Sequence, residues 1–215
     1  MQVRKFEEKD AALVAMLHRV AIPLGFLSEL GDRFLGCLYG HISLASGSCV
    51  LVAVDEDDAC VGFVAGSIDI RDCYRRVILR GAFPLFRALF PYLLRASVVR
   101  RVLQTLLYPI MRTFRMPGAN SNCDEAAYPA ELLSIAVSDH TRGQGVGRLL
   151  VNALEEYFCE CGYTSSYQVV TDAEDARSNA FYRSRGFRFQ RSFRHHGHKM
   201  NRYTKELSSS SASPK

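Results

Sequence analysis

Residues 130–157 read AELLSIAVSDHTRGQGVGRLLVNALEEY, and the fold turns on how this stretch is parsed. Glu131 to Val137 form a short apolar run that suits a strand, and Leu149, Leu150, Ala153, Leu154 and Tyr157 recur at helical spacing. Between them lie SDHT and a turn with glycines at 143, 145 and 147. A helix that opens on such a turn offers backbone N–H groups without intrahelical partners, and these form a cradle for an anion. Glycine permits close backbone approach to a pyrophosphate, and Arg142 and Arg148 add positive charge at the rim. Two other phosphate loops are disfavoured. A Walker loop would place Lys and then Ser or Thr after the last glycine, where this chain has Arg148 and Leu149. A dinucleotide fingerprint starts its glycines directly at the strand end, where SDHT intervenes here.

The run Arg142-Gly143-Gln144-Gly145-Val146-Gly147 resembles the Arg/Gln-x-x-Gly-x-Gly/Ala loop of the GNAT superfamily of acetyl-CoA-dependent N-acetyltransferases. Downstream, Asn179-Ala180-Phe181-Tyr182 followed by Gly186-Phe187 is similar to the second motif of that superfamily, in the right order and at the right distance. Two ordered motifs carry far more information than one glycine loop.

Working outward, Val3 to Phe6 suit a first strand, and Asp10 is expected to cap a helix over AALVAMLHRVA that stops before Pro23. A second helix is expected from Phe26 to Ile42. CVLVAVD and CVGFVAGSIDI, joined by an acidic turn, read as a hairpin that supplies the second and third strands. After the glycine loop come a helix stopped by Gly162, a strand SYQVVT, a short helix ended by Gly186, and a last hairpin of FRFQRSF and MNRYTKEL. The implied fold is α/β and GNAT-like: a mixed, mostly antiparallel central sheet flanked by helices, with a helical insertion between the third and fourth strands. We expect a single domain over residues 1–207, including an arginine-rich insertion at 72–128, and a disordered tail at 208–215.

Of the net charge of +5, the stretch between Cys73 and Cys123 carries nine arginines and no acid, which leaves −4 on the rest. Pro84, Pro91 and Pro109 are expected to divide this insertion into two or three short helices. Its longest uncharged run, Val102 to Met111, is too short to span a bilayer. Three uses stay open: a cap on the core, a wall of the acceptor site, or peripheral contact with an anionic membrane through residues 74–116. Nucleic acid is disfavoured, because leucine, valine and phenylalanine fill the spaces between the arginines. The N-terminus lacks the apolar segment of a secretory signal, and the seven cysteines include no CxxC pair. Both features suit the cytoplasm, with any membrane contact at its inner face.

The resemblance implies acetyl-CoA as cosubstrate, its pyrophosphate on the loop from Arg142 to Arg148 and its pantetheine along Ile135, Ala136 and Val137. A backbone N–H near Val137 would polarise the thioester carbonyl. Tyr182 takes the place of the general acid that protonates the departing thiolate, and Asn179 that of an amide holding the cofactor. Glu131 stands where several relatives place a base, although a water chain could serve instead. No metal is implied. His195, His196 and His198 in the last turn lack a Cys or acid to complete a ligand set, and acceptor contact or solvation suits them better. The expected reaction is direct acetyl transfer to a primary amine of a small-molecule acceptor, an amino sugar being one candidate. The rival is a non-catalytic acyl-CoA-binding or membrane-surface module.

Overall fold

The structure is a computed structural model, described for residues 1–23, 26–90, 129–195 and 197–207, and for residues 26 and 195 by backbone alone. The tail, the insertion beyond Phe90 and His196 lie outside the described residues.

The chain runs β1 (Gln2–Lys5), α1 (Ala11–Ala21), α2 (Gly31–Ser43), β2 (Ser48–Val54), β3 (Cys60–Ser67), α3 (Ile70–Leu89) and β4 (Glu131–Val137). It continues through α4 (Val146–Glu160), β5 (Ser166–Asp172), α5 (Ala176–Ser184), β6 (Arg188–His195) and β7 (His198–Glu206). The strands form one seven-stranded sheet in the order β1-β2-β3-β4-β5-β7-β6. Every neighbouring pair is antiparallel except β4 and β5, which are parallel. This is the mixed, mostly antiparallel sheet that the resemblance implied.

Strand alternation sends side chains to two cores. On one face, α1, α2 and α3 close over Val50, Val52, Phe63 and Ala65. On the other, α4 brings Val146, Leu150, Val151, Leu154 and Phe158, all almost fully buried, against Leu132, Tyr167, Val169 and Tyr203. A hole left at such a site, as in Leu154→Ala, costs about 2–5 kcal/mol. Gly162, at φ 76°, ends α4 while the Tyr163 N–H donates back to the Phe158 carbonyl, so the expected glycine stop is present.

Four local expectations are corrected. Asp10 precedes α1 but makes no side-chain cap, because its carboxylate instead accepts from Arg4 at 2.7 and 3.0 Å and from the Glu7 N–H at 2.8 Å. The second helix is divided, with a 3₁₀ turn over Phe26–Leu30 before α2. The third strand stops at Ser67 rather than running to Ile70, since the Asp69 carboxylate caps α3 by accepting from the N–H groups of Arg71 and Asp72. Finally, Pro84 does not break the insertion there, and α3 continues through it to Leu89. Pro84 is exposed, so water can take the backbone carbonyl that loses its helical donor.

Candidate active site

The parallel pair β4–β5 is in register at only two positions, Glu131 with Gln168 and Leu132 with Val169. Beyond them β4 continues to Val137 and β5 to Asp172 without pairing, which opens a wedge in the middle of the sheet. A bulge on β4 sets what faces this wedge. Ser134 lies opposite Ala65 and Leu132 opposite Gly66, so Leu133 is the extra residue. Before the bulge, the Ala130 carbonyl accepts from the Gln168 N–H, so even-numbered main-chain groups face β5. After it, the Ser138 N–H donates to the Val61 carbonyl, so the main chain of Ala136 and Ser134 faces β3. Ile135 and Val137 therefore turn their N–H and C=O groups into the wedge. Ala136, expected beside them, points its main chain at Phe63 and cannot pair there.

The wedge opens next to the glycine loop. A 3₁₀ turn over Asp139–Thr141 carries the chain out of β4, and Arg142 pairs with Asp139. The Gln144 side chain turns back to the His140 carbonyl. α4 then begins at Gly145 with no side-chain cap. Its first intrahelical bond runs from the Leu149 N–H to the Gly145 carbonyl, which leaves the N–H groups of Val146, Gly147 and Arg148 without helical acceptors. The Val146 side chain is core, so only its main chain is available to a ligand. The three glycines serve different needs. Gly143 and Gly145 have φ of 80° and 85°, which favour glycine, whereas a Cβ at Gly147 would sit 3.0 Å from the Phe181 ring.

α5 flanks the same region. Tyr182 is buried among Phe181, Phe187 and Tyr203, with ring centroids at 5.4, 5.4 and 6.3 Å. Its hydroxyl has no hydrogen-bond partner among the described residues, and burial pushes its pKa well above the usual phenol range. Such a phenol keeps its proton until a stronger base appears. Asn179 is engaged within the protein. Its amide donates to the carbonyls of Asp172 and Asp175 at 2.7 and 2.6 Å and accepts from Asn201 Nδ2 at 2.8 Å and the Tyr203 hydroxyl at 2.7 Å. All four positions are taken within the protein, so this side chain ties β5, α5 and β7 together and has no capacity left for a cofactor.

Glu131 stands at the closed end of the wedge, where β4 and β5 still pair. Leu132 faces the α4 core, so the Glu131 side chain projects from the opposite face of the sheet. Its Oε2 accepts from Gln168 Nε2 at 2.7 Å. Burial raises the carboxyl pKa from 4.5 to about 7, against the lowering effects of the Gln168 hydrogen bond and the Arg202 charge. Tyr182 belongs to the α4 face, so the two candidate catalytic groups lie on opposite faces of the sheet.

Sequence reasoning missed the polar groups around Glu131. Gln168 and Arg202 reach it only through strand register, which leaves no local signal. On the same face of β4, buried His18 places Nδ1 2.6 Å from the Tyr39 hydroxyl and 3.5 Å from Ser134 Oγ. Its Nε2 has no partner among the described residues, and burial holds the imidazole neutral with a pKa of about 4. Among the described residues, no three His, Cys, Asp or Glu side chains converge as a metal site would require.

Residues 116–187, which hold the glycine loop, the wedge and α5, match the model of the acetyltransferase (GNAT) family. That stretch is similar to the GNAT acetyltransferases. Solved structures of the same fold include a GCN5-related N-acetyltransferase from Kribbella flavida, at 17% identity and a TM-score of 0.60 over 96% of this chain and 97% of that one. The ribosomal-protein-alanine N-acetyltransferase from Brucella melitensis is similar at 19% identity and a TM-score of 0.59, over 96% and 100% of the two chains. yncA from Salmonella typhimurium, solved with its cofactor acetyl-CoA, is similar at 15% identity and a TM-score of 0.56, over 100% and 97%. At these identities the likeness is one of fold. No curated protein matches this chain by sequence.

Proposed function

We propose that this protein is a GNAT acetyltransferase that moves the acetyl group of acetyl-CoA directly to a primary amine of a small-molecule acceptor. The observation that carries the reading is the wedge between β4 and β5, where the free main chain of Ile135 and Val137 lies beside the uncapped start of α4. Extended pantetheine would pair with the first, and pyrophosphate would lie on the second, with Arg142 and Arg148 at its edge.

Acetyl-CoA supplies a thioester whose carbonyl oxygen gains negative charge as the amine attacks. In this reading the Val137 N–H stabilises that charge. A water chain carries a proton from the acceptor ammonium to the Glu131 carboxylate, for which a pKa of about 7 is well matched. The new N–C bond forms, the C–S bond breaks, the Tyr182 hydroxyl gives its proton to the leaving thiolate, and the cationic nitrogen returns a proton to the Tyr182 phenolate as the amide is released. The acid and base act from opposite faces of the sheet, so cosubstrate and acceptor would meet in the wedge without competing for one entrance. An amino sugar suits the polar surroundings of Glu131, including Gln168, Arg202 and Ser134.

The test is release of free thiol from acetyl-CoA over a panel of amines, amino sugars, polyamines and peptides. We expect turnover with a small amine that is lost in both Tyr182→Phe and Glu131→Gln. Acetyl-CoA binding without turnover on any amine, and with both variants indistinguishable from the parent, would favour a binding module.

A further inference from the structure

α3 is apolar on two opposite faces. One face, carrying Cys73, Val77, Gly81, Leu85 and Leu89, is buried against the rest of the domain. On the other, Leu79, Phe83, Phe86 and Phe90 are 69, 76, 56 and 65% exposed. Their spacing of four, three and four residues puts all four within about 60° of arc at about 100° per residue. Scattered surface apolar residues need no explanation, but a ridge of three phenylalanines and a leucine does. Arg75 and Arg71 lie on one side of this ridge, and Arg76, Arg80 and Arg87 on the other. Arg76 is paired with Asp72, while Arg75, Arg80 and Arg87 make no ion pair among the described residues. After Asp72 the helix contains no acid.

We propose that this outer face of α3 is a docking surface for an anionic membrane. The apolar ridge would enter the boundary between headgroups and acyl chains, and the flanking arginines would lie at the level of the lipid phosphates. An acidic or neutral rim would have suited a second copy of the chain or a protein partner. A rim of arginines alone, with Asp72 the single acid, suits a surface of negative charge. No helix among the described residues is long and apolar enough to cross a membrane, so the contact is peripheral.

The same helix reaches the candidate active site. The Ile70 N–H donates to the Pro129 carbonyl, and the phenol of Tyr74, one turn into α3, feels the charge of Glu131. The ridge begins about one and a half turns further on. Docking would therefore hold the Glu131 side of the wedge near the bilayer, and the acceptor would be an amine presented at a membrane surface. That consequence rests on the acetyl-transfer reading; the docking itself does not.

The experiment is co-sedimentation of the full chain with phosphatidylcholine vesicles containing phosphatidylglycerol, and with phosphatidylcholine alone. We expect binding to the anionic vesicles at low salt that falls more than about tenfold in about 0.5 M salt. Phe83→Glu/Phe86→Glu and Arg75→Gln/Arg80→Gln/Arg87→Gln should each weaken it by more than about tenfold while acetyl-CoA affinity is kept as the measure of intact fold. Three results overturn the proposal. These are a parent that stays in the supernatant at low salt, variants that both bind as the parent does, and a parent dimer that Phe83→Glu/Phe86→Glu splits, which would assign the ridge to a second copy. Since sedimentation needs no turnover, failure of the acetyl-transfer assay leaves the docking result standing, and the reverse holds too.

Discussion

Glu131→Gln separates the carboxyl's charge from its shape. Glutamine can keep the hydrogen bond from Gln168 Nε2, because its own amide oxygen accepts where Glu131 Oε2 now does. What disappears is the ionisation. In the unfolded chain the carboxyl titrates near 4.5, and in the folded protein burial raises this to about 7. A raised carboxyl pKa means that the native state holds the proton longer. Its stabilising effect is fully present below pH 4.5 and is lost as pH rises through 7. At about 1.4 kcal/mol per pH unit the whole interval corresponds to about 3.5 kcal/mol. Glu131 is only partly buried, so solvent screening reduces the expected figure to about 2 kcal/mol. Urea unfolding of parent and variant at pH 5 and pH 8 should then show the variant gaining relative stability at the higher pH. The gain amounts to a midpoint shift of about 1 M for an m-value of about 2 kcal/mol/M. Other titrating groups cancel in the comparison. Activity should change in the opposite sense: the parent's rate gains a limb rising through pH 7, and the variant loses that limb and about 10²-fold or more of kcat/KM. Equal pH dependence of stability in both proteins would show that Glu131 is not held in a desolvated site. A surviving limb in the variant would assign the base to another group.

Three further substitutions test the rest of the site. Tyr182→Phe deletes a hydroxyl without a partner among the described residues, so stability should stay within about 0.5 kcal/mol while kcat falls about 10²-fold in the thiol-release assay. An unchanged kcat would leave Tyr182 a packing residue. Gly145→Glu places a carboxylate where the α4 N–H groups converge, at a φ of 85°. Calorimetry should find acetyl-CoA binding abolished, with a stability cost of about 1–2 kcal/mol from the backbone alone, and retained affinity would move the cradle elsewhere. Asn179→Ala strands Asn201 Nδ2 and the Tyr203 hydroxyl in the core and should cost about 2–4 kcal/mol in urea unfolding. Acetyl-CoA affinity of the folded protein should stay within about threefold, and a tenfold loss with unchanged stability would restore Asn179 as a cofactor ligand.

The parts of the site that were legible in the sequence are those whose conformation is local. Gly143 and Gly145 mark positive φ, the 3.6-residue period marks the buried face of α4, and Gly186 followed by Phe187 marks the turn that folds Phe187 back onto α5. What stayed hidden depends on register. ELLSIAV contains neither glycine nor proline, and nothing in it announces that Leu133 is bulged. Without that bulge the alternation set by Ala130 would carry on, and Ala136 rather than Ile135 and Val137 would face β5. The partners of Asn179 were hidden for a related reason. Its neighbours in sequence belong to the motif, but its four hydrogen-bond partners come from β5, from the approach to α5 and from β7. Only sheet order brings β7 beside β5. The Glu131–Gln168 contact likewise joins residues 37 apart across the single parallel pair of the sheet. That pair does two jobs with two rungs of register. It buries Glu131 enough to raise its pKa, and it stops early enough to leave the wedge open. Continuing the β4–β5 ladder would satisfy more main-chain groups and close the wedge, so the open edge costs backbone hydrogen bonding that, in the proposed reading, bound pantetheine offsets.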